Sequence, residues 1–166
     1  MLELAIRNAR IVTEDAVIQG DLGVVSGKIV SIGQAAEASQ EVDAQGQWLM
    51  PGGVDVHAHI EQMSGMGQMN ADTFESATRS AVMGGTTSVI SFAAQQHGES
   101  IAARLEDYSA RAARGAMIDY AFHIIVSDPS VPDFAAELGQ AMAAGHRSLK
   151  LFATYEIKLG DPELLA

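Results

Sequence analysis

From residue 54 onward the chain switches repeatedly between two hydrophobic periods, and this limits its fold more than any other feature. Short strand-like runs fall at 54–59, 86–92, 119–126 and 148–153, with helical patterns between them at 72–83, 100–114 and 132–144. Strands separated by whole helices must run parallel, because a tight turn can only reverse the chain. Local chemistry marks the boundaries. Asp72 with Glu75 three residues on reads as a capping box, and Gly84-Gly85, Gly115 and Gly145 read as left-handed helix stops.

Residues 1–50 have a different rhythm. Runs such as Ala9-Arg10-Ile11-Val12 and Lys28-Ile29-Val30-Ser31-Ile32 are broken at Gly20-Asp21, Ser26-Gly27 and Gly33, where hairpins need positive φ. This predicts a small antiparallel β module followed at Pro51-Gly52-Gly53 by the βα region, residues 51–166. At the other end Asp161-Pro162-Glu163 announces a helix, and the sequence finishes at Ala166. Four parallel strands also leave open edges. The expectation is the N-terminal part of a longer protein.

Composition narrows the chemistry. At 48% hydrophobic residues the chain has material for a core, and its net charge of −11 argues against a nucleic-acid phosphate backbone or an anionic membrane surface. With no cysteine, a metal must be held by N and O donors. No apolar run approaches transmembrane length and the N-terminus lacks a signal-peptide pattern, so a cytoplasmic location is expected.

The strand Val54-Asp55-Val56-His57-Ala58-His59 carries two histidines one residue apart. Strand geometry sends both imidazoles to one face, where they form a pair of metal ligands that needs partners from elsewhere in the chain. Lys150 lies between leucines in Ser148-Leu149-Lys150-Leu151-Phe152. A buried ammonium loses its proton or finds a partner. Three readings stand: a neutral nucleophile for Schiff-base chemistry, a carbamate formed with carbon dioxide, or a buried stem whose amine reaches the strand end.

The order of these elements, Pro-Gly-Gly-Val-Asp-Val-His-Ala-His after a β module, then Gly84-Gly85-Thr86-Thr87-Ser88, then Ser148 to Tyr155, resembles the amidohydrolase superfamily. Within it the chain resembles the dihydropyrimidinase and D-hydantoinase family over essentially its whole length. The resemblance implies an α/β fold: the first four βα units of a TIM-like (β/α)8 metal-dependent hydrolase barrel, preceded by part of an accessory β-sandwich. It implies two divalent metal ions, usually zinc, with His57 and His59 on the more buried ion and carbamylated Lys150 bridging both. Tyr155 would face the substrate and stabilise an oxyanion. The reaction implied is ring opening of a dihydropyrimidine or 5-substituted hydantoin to an N-carbamoyl amino acid, in a protein that assembles as a homotetramer. The family's remaining two histidines and its catalytic aspartate have no counterpart in this sequence, so the chain alone is expected to be inactive and to need the remainder of the barrel. A non-catalytic scaffold homologue and a dihydroorotase- or allantoinase-type enzyme are the alternatives. The missing Arg or Asn and Pro-Gly after the His-x-His pair weigh against the latter.

Lesser features have plainer readings. His123 in Ala121-Phe122-His123-Ile124 reads as a satisfied core histidine in preference to a metal contact, while His97 and His146 read as structural or solvated. Asp55 either orients a ligand imidazole or bonds neighbouring backbone. The methionine- and glycine-rich segment 61–70 either covers the pocket as an adaptable apolar surface or packs on the rim.

Overall fold

The computed structural model describes residues 1–64 and 67–152. Two compact units result, Met1–Pro51 and Gly52 onward. In the first, β1 (Leu2–Val12), β2 (Val17–Val25), β3 (Lys28–Gly33), β4 (Ala38–Asp43) and β5 (Trp48–Leu49) make one sheet in the order β3-β2-β1-β4, with β5 also pairing β1. The sheet is mixed, not purely antiparallel. β1 pairs antiparallel with β2 but parallel with both β4 and β5. The run expected at Ala9–Val12 is the second half of one strand, Leu2–Val12, interrupted by a bulge between Ile6 and Ala9. There Asn8 adopts φ 54°, its N–H bonds Asp21 Oδ1 at 3.0 Å and its amide donates to Asp43 Oδ1 at 3.0 Å. Arg7 ties β1 to its neighbours by ion pairs with Asp21 and Glu41. The Asn8 N–H and then Arg7 hold the Asp21 carboxyl below its ordinary range, and Arg7 does the same for Glu41.

In the second unit β6 (Gly53–Ala58), β7 (Thr86–Ala94), β8 (Asp119–Ile125) and β9 (Leu149–Lys150) form a parallel sheet in sequence order, connected by α1 (Phe74–Met83), α2 (Ile101–Gly115) and α3 (Phe134–Ala143). One face of this sheet is buried under the helices. Val89 and Ala93 of β7 and Phe122 and Ile124 of β8 pack there against Phe74, Ile101, Leu105, Tyr108 and Ala112. Each large side chain removed from water in that layer contributes roughly 1.5–3 kcal/mol.

The helix ends depart from the sequence reading in detail. Thr73, not Asp72, is the N-cap of α1, in a capping box with Ser76, while Asp72 accepts a hydrogen bond from the Ser76 hydroxyl at 2.7 Å. The competing hydroxyl pair one position on wins because both of its bonds reach backbone N–H groups. Gly85 and Gly145 have positive φ, as helix stops require, but Gly115 is the last residue of α2 and is followed by an extended cap at Ala116. Its smallness serves packing: a Cβ on Gly115 would lie 2.9 Å from Glu75 Cβ on α1. The strand expected over 148–153 covers only Leu149–Lys150 among the described residues, and the helix signal at Asp161-Pro162 lies outside them.

Gly52 explains the Pro-Gly-Gly entrance to β6. A Cβ there would sit 2.1 Å from Thr87 Oγ1 and 2.7 Å from Thr87 Cβ on the neighbouring strand. Gly52→Ala is expected to destabilise the protein by roughly 1–3 kcal/mol through overpacking, measured as a lower urea midpoint; an unchanged midpoint would show that β6 does not need this close approach.

Candidate active site

The sheet face turned away from the helices gathers the chemistry-bearing residues. Side chains alternate along β7, so if Val89 and Ala93 face the helices, Phe92 and Ala94 face the other way, where they cluster with Ile125 and Phe152. Phe92 is the meeting point. His59 stacks on its ring with centroids 4.5 Å apart, His57 meets it edge-on at 4.8 Å, and His123 approaches at 5.1 Å. Lys150 Nζ lies 4.4 Å from the same centroid and 5.2 Å from that of Phe152. The imidazoles of His57 and His59 are 5.3 Å apart. Residues expected from sequence to face one another, His57, His59 and Lys150, therefore share one aromatic platform. Tyr155 lies outside the described residues.

Orientation of the histidines is set locally. His59 Nδ1 lies 2.7 Å from Gln62 Oε1, so the ring donates through Nδ1 and keeps the Nε2 lone pair as a ligand atom. Asp55 acts on backbone: its Oδ1 accepts the His57 N–H at 2.9 Å, beside the register shift between Asp55 and Ala58 where β6 leaves the regular ladder with β7. His123 has both ring nitrogens engaged. Nε2–H donates to Val56 O at 2.9 Å, and Nδ1 accepts from the Ser148 hydroxyl. It is a satisfied histidine, with no lone pair left for a metal.

Among the described residues no group of three His, Cys, Asp or Glu side chains could by itself hold a metal ion. What is present is a pair of imidazoles and a half-buried lysine on one face, an N-donor set suited to zinc and incomplete as a coordination sphere. The lysine amine rests near the faces of two aromatic rings, which keeps it close to the histidines.

Beside this face, at the C-terminal ends of β7 and β8, lies a cleft of about 190 Å³ whose apolar lining includes Met63, Ala94, Ile125 and Phe152. Gln62, Met63 and Ser64 of the methionine-rich segment line it. The segment's described residues close a hairpin: Met63 bridges Met69, Gln62 N–H donates to Asn70 Oδ1 at 2.7 Å, and Asn70 N–H returns a bond to Gln62 O at 3.0 Å. The opposite wall is clamped by Gln95, 2% exposed. Its amide donates to Glu99 O (2.8 Å) and Asp128 O (2.9 Å) and accepts from Ser127 N–H (2.9 Å) and Asp128 N–H (3.0 Å). Asp128 accepts in turn from the Ser130 hydroxyl, from Gly98 N–H at 2.9 Å and from Ser130 N–H, which hold its carboxyl at about 2. Phe92, Gln62 and Gln95 are the residues that sequence reasoning did not single out. Phe92 lies in the mostly apolar strand run Val89-Ile90-Ser91-Phe92-Ala93-Ala94, where it reads as core, and glutamines in loops resemble solvent-facing residues.

A family model described as the amidohydrolase family matches residues 48–154. Among curated relatives, the D-hydantoinase of Ralstonia pickettii is 39% identical over 155 residues, 93% of this chain and 34% of that protein. The D-phenylhydantoinase of Escherichia coli (strain K12 / DH10B) is 34% identical over 170 residues, 99% of this chain and 36% of that protein. A solved D-hydantoinase superposes with a TM-score of 0.91 at 39% identity, covering 99% of this chain and 36% of the other. Dihydropyrimidinase from Brevibacillus agri NCHU1002 gives 0.88 at 34% identity, with the same two shares. The chain thus spans about a third of the length of the relatives it matches.

The Asp128 clamp makes the cleft wall sensitive to strong acid. Because its folded pKa of about 2 lies below the ordinary 3.8, Asp128 stabilises the fold fully above about 4, and that contribution is lost as pH falls through 2. The Gly98 and Ser130 amide signals in NMR should titrate with a midpoint near 2. A midpoint at the ordinary carboxylate value, or the same titration in Asp128→Asn, would contradict the clamp.

Proposed function

The chain belongs to the amidohydrolase family, and on that premise we propose that it forms part of a metal-dependent cyclic amidohydrolase of the hydantoinase and dihydropyrimidinase type. The observation that carries this reading is the convergence of His57, His59 and Lys150 on Phe92 at one sheet face, next to an apolar cleft. The substrate class is a dihydropyrimidine or a 5-substituted hydantoin. Hydrolysis adds water across a ring C–N bond: oxygen joins the carbonyl carbon, the ring nitrogen leaves with the second proton, and an N-carbamoyl amino acid results.

In this reading His57 and His59 would hold one divalent ion, zinc by preference for imidazole donors, and Lys150, carbamylated by carbon dioxide, would supply a carboxylate to help hold it and a second ion. When bound, the ions supply a water nucleophilic at neutral pH and a polarised carbonyl. The protein groups do the rest. Gln62 fixes the tautomer of His59 by accepting its Nδ1–H, and Phe92 holds both imidazoles and the lysine against one apolar surface. Tyr155 donates a hydrogen bond to the oxyanion that develops on the carbonyl oxygen. The remaining ligands and the rest of the barrel come from chain beyond these residues, and the active form is a homo-oligomer acting in the cytoplasm. No helix among the described residues is long and apolar enough to cross a membrane.

Metal analysis and a substrate assay test this. In the complete protein, Lys150→Ala should lose bound zinc and hydrolysis of dihydrouracil or a 5-substituted hydantoin, with partial recovery on adding a short carboxylic acid. Full activity without rescue would rule out the carbamate. Tyr155→Phe should keep its metal while kcat falls about 10²–10³-fold. Less than one bound ion per subunit in the unaltered protein would favour a non-catalytic scaffold.

A further inference from the structure

β6, which carries His57 and leads into His59, and β9, which carries Lys150, are the strands with the fewest paired residues in this sheet among the described residues. β9 has only two residues, tied to β8 by bonds such as Ile124 N–H to Ser148 O at 3.0 Å and Val126 N–H to Lys150 O at 3.2 Å. β6 leaves register with β7 between Asp55 and Ala58, the stretch that contains His57. Strand-to-strand spacing at the site therefore needs a further tie. His123 supplies it, because its two ring nitrogens reach Val56 O, the residue before His57, and the Ser148 hydroxyl, two residues before Lys150. The ring lies over Phe92, so the tie passes across β7 on the face that carries the ligands.

We propose that His123 is a positioning residue that fixes the distance between the His57/His59 pair and Lys150, acting through Val56 and Ser148 and binding no metal itself. This rests on the metal-site reading above. A rigid imidazole suits the task, since its opposed nitrogens span two strands with no torsion between them. A flexible chain would have to lose rotamer freedom to do the same.

Two readouts test it, one free of metal. By amide hydrogen exchange on the metal-free protein, Ser148→Ala should speed exchange at Ile124 and Val126 while Leu105 in the core beneath α2 keeps its protection. By titration with Zn²⁺ alone, His123→Ala should weaken binding about 10–100-fold, the range for groups that orient ligands, and His123→Gln, which restores a donor toward Val56 O, should recover part of it. Unchanged exchange at both amides would overturn the proposal, as would faster exchange with unchanged zinc affinity. If the unaltered protein takes up no zinc, the metal reading fails and the exchange result alone decides whether His123 sets the spacing. If His123→Ala does not fold, Ser148→Ala, which removes one hydroxyl, carries the zinc titration as well.

Discussion

The central constraint in the βα unit is that β7 is paired on both edges and packed on both faces. Its two faces have separate tasks: Val89 and Ala93 anchor the helices, and Phe92 supports the candidate site. Period-two alternation keeps them apart, and a slip of one residue would exchange them. The position of His59, His57, His123 and Lys150 around a single ring follows from that register, since each contacts Phe92 from a different strand or strand end.

Around this centre the protein uses side-chain amides and carboxylates where backbone pairing stops. Asp55 covers the His57 N–H at the β6 irregularity, Gln62 orients His59 just past the strand end, and Gln95 with Asp128 joins the loops after β7 and β8. The common problem is a parallel sheet whose strand ends must hold reactive groups although the ladder no longer fixes them. Short polar side chains solve it locally, and local bonds of this kind keep a site formed by several loops in one geometry.

How much of this could be read from sequence depended on the range of the interaction. Alternating βα periodicity and the His-x-His pair are local signals, and both were legible, as was the glycine entrance at Pro51-Gly52-Gly53. The resemblance carried by His57, His59 and Lys150 led to the family that the chain matches over residues 48–154. The parallel pairing of β4 and β5 with β1 was not legible, because hairpin-type turns say nothing about which strands meet after a longer connection. Thr73 was hidden behind an equally plausible cap at Asp72. The task of His123 could not be seen at all, since its partners are 67 and 25 residues away in sequence.

The amide of Gln95 has no unused donor or acceptor: two protons and two lone pairs are all committed to backbone. Although it lines the cleft, it has nothing to offer a bound molecule. The exchangeable part of the cleft is accordingly its other lining residues, such as Met63 and Gln96, whose replacement would reshape the cleft without removing a bond of the Gln95 and Asp128 clamp. A fixed frame and an exchangeable lining let the shape and polarity of the cleft be altered by single substitutions, and they tell an engineer which neighbouring glutamine to leave alone.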